Sequence, residues 1–143
     1  MTMDPKNVYT TGNAPSKDWF LQFLVNLANK NQFEVDITLT VGGLLISGTL
    51  SGVKKYFDEL GEFFAGSYDA NSSSENIKTT FKKIGEQCLC VAPSEQSETP
   101  SYLHLKNVRF FDAQGKGITA GAGGWWRGRI SEIQGFSPGK LPE

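Results

Sequence analysis

The chain has 143 residues, about one domain's worth, so a single core is expected rather than a multi-domain machine. With 38% hydrophobic and 20% charged residues, a mean hydropathy of −0.31 and 16 glycines against 6 prolines, its composition is neither collagen-like nor that of a disordered chain. A net charge of −1 gives no field that argues for nucleic acid, and no window approaches the ~20 apolar residues of a membrane span, since the best stretch, Trp19 to Ala28, is broken by Gln22 and Asn26.

Met1 to Ser16 carries Asp4 and lacks the apolar run of a secretory signal, so a cytoplasmic protein is expected. Residues 1–15 are expected to be a flexible N-terminus ahead of one α+β domain over 16–141. The charge is unevenly spread: residues 1–100 hold 8 Lys/Arg and 12 Asp/Glu, and residues 101–143 hold 6 and 3, so a basic tail follows an acidic body. The first periodic segment is Ser16 to Asn31, where Trp19, Phe20, Phe23, Leu24, Leu27 and Ala28 recur as one helical stripe. Ser16 is its expected cap, with Asp18 and Lys30 placed to suit the helix dipole.

From Phe33 the period changes to two. Phe33, Val35, Ile37, Leu39 and Val41 share one face and Glu34, Asp36, Thr38 and Thr40 the other, as in a half-buried strand. Gly42-Gly43 then reads as a tight hairpin turn into Leu44 to Ser51, and placing Val41 opposite Leu44 pairs Leu39 with Ile46, Ile37 with Gly48 and Glu34 with Ser51. A second amphipathic helix follows, with Val53, Tyr56, Phe57, Leu60, Phe63 and Phe64 inward and Gly66 to close it. Ser72 to Glu75 has capping-box spacing for a third helix through Cys88, weakened by Gly85. Residues 93–100 form a Ser/Glu/Pro stretch expected as a mobile loop. Two last strands are expected at about Ser101 to Phe111 and Trp125 to Gln134. The sum is an antiparallel four-stranded sheet of two hairpins, with an N-terminal helix and one or two helices inserted between the hairpins; the alternative is a small Sm-like barrel.

Chemistry finds little purchase. Gly115 to Ala120 has the letters of a dinucleotide fingerprint, but a strand-like run follows where the phosphate-binding helix is needed. Gly135 to Lys140 lacks both the spacing and the hydroxyl of a phosphate-binding loop. His104 is the sole histidine, with no nucleophile to serve, and reads as a strand residue; Cys88 and Cys90 read as two thiols without further metal ligands. No enzyme activity, cofactor or metal is expected. The aromatic pairs say more, because neighbours on a strand face opposite ways. Trp126, Gly128 and Ile130 take one side of the last strand, while Trp125, Arg127 and Arg129 take the other, in the residue types that dominate binding surfaces.

Five strings carry a resemblance: Phe33-Glu-Val-Asp-Ile-Thr-Leu-Thr-Val-Gly-Gly43, Ile46-Ser-Gly-Thr-Leu-Ser51, Tyr56-Phe-Asp-Glu-Leu60, His104-Leu-Lys-Asn107, and Trp126-Arg-Gly-Arg-Ile-Ser-Glu-Ile-Gln-Gly-Phe-Ser-Pro-Gly-Lys140. Together they resemble the gas vesicle accessory protein U family from about Ser16 to Lys140, loosely across 66–100. The resemblance implies a non-enzymatic cytoplasmic protein at or near gas vesicles, with shell or other gas vesicle proteins as partners, that acts on vesicles or their clustering. From the residues, an aromatic-basic face with Trp125, Arg127 and Arg129, set opposite an acidic-hydroxyl face with Glu34 and Asp36, suggests homotypic assembly. The competing class is an Sm-like oligomeric RNA-binding module, against which the inserted helix and the weak net charge argue.

Overall fold

A computed structural model describes residues 17–66, 72–89 and 100–142. The N-terminus over 1–15, Ser16, Cys90 and the loop over 93–99 lie outside the described residues. The elements run α1 (Trp19–Asn31), β1 (Val35–Val41), β2 (Leu44–Ser51), α2 (Val53–Ala65), α3 (Ser72–Leu89), β3 (Tyr102–Phe111), β4 (Gly117–Ile118), β5 (Trp126–Arg129), a 3-10 turn (Ile130–Glu132) and β6 (Gly135–Pro138). The class is α+β, with two inserted helices and six antiparallel strands among the described residues where four strands were expected. The excess comes from the C-terminal quarter. The run expected as one strand over Trp125 to Gln134 breaks at Ile130 into the 3-10 turn, and the chain beyond it returns as β6 to pair with β1.

The β1–β2 register is the one the alternation implies, Val41 opposite Leu44 through Val35 opposite Leu50. Gly42 and Gly43 both have positive φ, 55° and 87°, which a two-residue turn of this hand requires and β-branched residues resist. One face of the hairpin is the core: Ile37, Leu39, Ile46 and Leu50 are buried with Leu103, Leu105, Val108 and Ile130. Each such side chain contributes ~1.5–3 kcal/mol on leaving water, so this cluster dominates the folding energy. The other face is less open than the pattern of hydroxyls implies. Thr38 and Ser47 are buried there, bonded to each other, with Thr38 Oγ1 donating to the Gly139 carbonyl and Leu141 N–H donating to Ser47 Oγ as the chain beyond β6 crosses over them.

The sheet cannot be flat. Arg129 lies opposite Tyr102, whereas Gly135 lies opposite Thr40, which continues through Leu45 to Phe111 at the far end of β3. Tyr102 and Phe111 are the ends of a ten-residue strand, a distance of ~30 Å along a straight strand. The six steps from Arg129 to Gly135 reach at most ~21 Å. The strands therefore bend back until Arg129 and Gly135 stand within that reach, and a bulge in β3, where Asn107, whose φ is 53°, and Val108 stand against Gly48 of β2 alone, supplies the bend. The glycine-rich connection fastens to β3 beside the bulge: Gly123 N–H donates to the Val108 carbonyl at 2.7 Å, and Val108 N–H to that of Gly124 at 3.0 Å.

Helix α1 covers the core face with Leu21, Val25 and Ala28, while Gln22, also buried, donates through Nε2 to the Pro100 carbonyl. The expected stripe is thus rotated, because Phe20 and Phe23 remain 44% and 48% exposed and stack on each other, with Phe20 also tilted against Phe136 at the rim. The cap is Asp18, whose carboxylate accepts from Phe20 and Leu21 N–H. In α2, Val53, Gly61 and Ala65 are buried and Phe63 and Phe64 are exposed, since only the first half of that helix lies on the sheet. Helix α3 packs on α2 through close approaches at Gly61 against Phe81 and at Gly85 against Phe57, so Gly85 is the contact that lets two helices meet.

Candidate functional site

Directly paired residues of neighbouring strands share a face. The rows of the sheet therefore set the candidate residues side by side: Ser51 opposite His104, His104 opposite Arg127, and Thr49 opposite both Asp36 and Lys106. Ser51 Oγ also donates to Glu34 Oε2 at 2.9 Å, which brings Glu34 into the first row. Glu34, Asp36, Arg127 and Arg129 thus lie on one outer face of the sheet. The expectation of two opposite faces fails here, because each strand's alternation was read correctly while the strand order that relates them is not written in any one strand.

On this face the two charge sets differ in how far they are compensated. Glu34 accepts from Lys106 Nζ at 2.8 Å and from Lys55 Nζ at 3.3 Å; the Lys106 hydrogen bond, with those of Ser51 and Lys55, holds its carboxyl below the usual range against the opposing effect of burial. Lys106 is raised in turn, chiefly by Glu34. Asp36 accepts from Thr49 Oγ1 at 2.8 Å and sits 3.7 Å from Lys140 Nζ. None of these lysines was singled out from the sequence; Lys106 was findable, because it stands two residues beyond His104 on the same face of a strand.

The basic half is less committed. The Arg127 guanidinium lies 3.9 Å above the Tyr102 ring, held by a cation–π contact. Arg129 is exposed and makes no side-chain hydrogen bond or ion pair among the described residues. Trp125 packs edge-on against Tyr56 at 5.5 Å between centroids, and its Nε1 donates to Glu59 Oε1 at 3.4 Å, so it joins α2 to the sheet as well as facing outward. Between the two charge sets, His104 is 2% exposed and lies 4.3 Å from Tyr56 and 6.3 Å from Phe57, centroid to centroid, with both ring nitrogens unpartnered among the described residues. Burial, aided by Arg127, pushes its pKa down to about 3, so the ring is neutral at cellular pH. Burial pushes the Tyr56 hydroxyl up.

This arrangement offers paired charges and aromatic surface for contact. Among the described residues no three His, Cys, Asp or Glu gather as metal ligands, and Cys88 is an exposed free thiol. A cleft between the end of α1 and the start of α2 is lined by Lys30, Glu34, Lys54, Lys55 and Asp58, charges that largely pair with one another or with neighbours. The letters of the dinucleotide fingerprint fall on β4 and its turns, with no helix to receive a phosphate. No helix among the described residues is long and apolar enough to cross a membrane.

Comparison with known proteins gives no match among curated proteins or solved structures. The family described as gas vesicle protein GvpU-like matches residues 18–141, which takes in every element from α1 to β6. The chain belongs to the gas vesicle protein GvpU-like family.

Proposed function

We propose that this protein is a non-enzymatic gas vesicle accessory protein of the cytoplasm that associates with copies of itself and with gas vesicle proteins, and so gathers vesicles into clusters. The observation that carries the self-association is the placement of acids and arginines on one face, three strands apart, ~14 Å at ordinary strand spacing. Helix α2 stands over His104 between the two charge sets, so two copies related by a two-fold axis meet beside that helix rather than sheet on sheet, with Arg127 and Arg129 of each reaching Asp36 and Glu34 of the other. Such a contact is isologous and closes on itself, so it makes a pair. A pair in which each copy also holds a vesicle protein bridges two vesicles, and repeated bridges on large particles act multivalently.

Light scattering on purified vesicles across a salt series tests this. Arg127→Glu with Arg129→Glu should abolish pairing and clustering while leaving thermal stability within ~1 kcal/mol of wild type, because exposed charges contribute little to folding. On the acidic side Asp36→Lys is the cleaner reversal, since Glu34 is tied to Ser51, Lys55 and Lys106 and changing it disturbs the fold. Mixing the arginine-reversed and Asp36-reversed variants should restore clustering in part. Clustering by both reversed variants at wild-type levels in low salt would rule the charged face out.

A further inference from the structure

Among the described residues strand β5 has an open edge, and the ladder geometry shows which of its backbone groups face outward. Ile130 N–H donates to the Ser101 carbonyl at 2.8 Å, in step with the pairing of β5 on β3. In an antiparallel ladder, alternate residues turn both amide and carbonyl to the neighbour. Trp126, Gly128 and Ile130 are the ones that face β3, so the amides and carbonyls of Arg127 and Arg129 point away from it. None of these has a partner among the described residues.

Elsewhere the sheet's free edges are blunted. β4 is two residues long. In β6, Gly139 N–H donates to the Asp36 carbonyl, which leaves Phe136 and Pro138 as the outward positions, and proline has no N–H to offer. β5, four residues long and without proline, keeps its outward amides available, and its only guard is the charge of Arg127 and Arg129. It is also held rigid: Ile130 is fully buried at its end, and the Trp126 indole lies so close over Gly128 that any side chain there would collide with the ring.

The side chains on either side of this edge decide what fits it. Arg127 and Arg129 alternate onto one face, with Arg127 already positioned on Tyr102. A second copy adding its own β5 about a two-fold axis would set Arg127 directly opposite Arg129, and like charges in that position destabilise a strand pair. The Glu34–Asp36 segment of another copy has the right alternation but too little free edge, because β2 pairs it along one side and β6, through Gly139 N–H on the Asp36 carbonyl, reaches it on the other, leaving only Glu34 and Val35 beyond the end of the pairing. An extended segment with acids at every second position meets both requirements, main-chain pairing and opposite charge. We propose that the open edge of β5 is a docking site for an extended acidic peptide of a partner protein, which joins the sheet as a further strand beside Arg127 and Arg129. This rests on the reading of the outer face as a protein-contact surface and names the partner's chemistry.

The test uses the full chain and a synthetic peptide alternating Glu and Val, with a Lys–Val peptide of equal length as control. Amide exchange should slow at Arg127 and Arg129 when the Glu–Val peptide is added, and not with the Lys–Val peptide. Arg129→Pro isolates the edge: φ at this residue is −78°, close to what proline imposes, and the amide lost is an outward one, so the β3 ladder is kept. Arg129→Pro should weaken peptide binding by about tenfold more than Arg129→Ala, which removes the same charge but keeps the amide. Equal binding by these two variants, protection confined to residues outside β5, or no difference between the two peptides would overturn the proposal. Asp36→Lys separates it from the self-association reading, since that variant should lose pairing yet bind the Glu–Val peptide like wild type; loss of peptide binding there would also overturn the edge assignment.

Discussion

His104 shows how one side chain ties stability to pH. In an unfolded chain its pKa is ~6.5, and in the fold it is pushed down to about 3 beneath Tyr56 and Phe57 and beside Arg127. Between those values the unfolded chain takes up a proton that the folded one refuses. The stabilisation is therefore complete above pH ~6.5 and lost as pH falls toward ~3. At pH 5 the loss from this one group should be about 2 kcal/mol relative to pH 8. Urea denaturation at the two pH values measures it, and His104→Leu should remove that share of the acid sensitivity while the carboxylate share persists. A variant as acid-sensitive as wild type would mean that His104 does not titrate as described. The same residue shows what the sequence could convey: a lone histidine on a strand reads correctly as structural, while its neighbours come from α2, forty-odd residues away, and no local pattern names them.

At the scale of elements, the β1–β2 hairpin was fully legible because turn chemistry and alternation fix the register together. The helices were legible in extent and not in rotation. The α1 stripe through Phe20 and Phe23 and the stripe actually buried through Leu21, Val25 and Ala28 are both apolar, and hydrophobicity alone does not choose between them. The choice is made by shape: the smaller side chains fit the sheet and the phenylalanines do not. The α2–α3 pair follows the same logic. Gly61 and Gly85 look like weak points for helices, yet a Cβ at 61 would stand 2.9 Å from that of Phe81, and one at 85 would stand 3.2 Å from that of Phe57. Gly→Ala at an exposed helix site stabilises by ~1 kcal/mol. Here overpacking should win, so Gly61→Ala should destabilise the protein by ~1–3 kcal/mol, with Gly85→Ala milder. Thermal melts followed by circular dichroism decide it, and a gain in stability at Gly61 would mean that the helices separate freely.

For the whole molecule, the bend that brings β6 back to β1 is the organising feature, and it was the least legible one. The six residues from Ile130 to Gly135 look like the continuation of a strand, and only the far placement of their partners, Tyr102 for Arg129 and Thr40 for Gly135, turns them into a corner. The same missing strand order hid the fact that acids and arginines share a face. Deleting residues 135–142 should leave the outer side of β1 unpaired and uncover Thr38 and Ser47, now roofed by Gly139 and Leu141. That variant should elute as soluble aggregate or unfold several degrees lower by calorimetry, as an exposed central strand invites pairing with other chains; a monomer melting like wild type would show that β6 is dispensable. During synthesis the closure also sets a clock. The pairing residues of β1 leave the ribosome roughly 100 residues before those of β6, a wait of ~5–20 s at ordinary translation rates. Throughout it the nascent strand has one flank covered by β2 and the other bare, which makes the growing chain, rather than the finished protein, the form most in need of a chaperone.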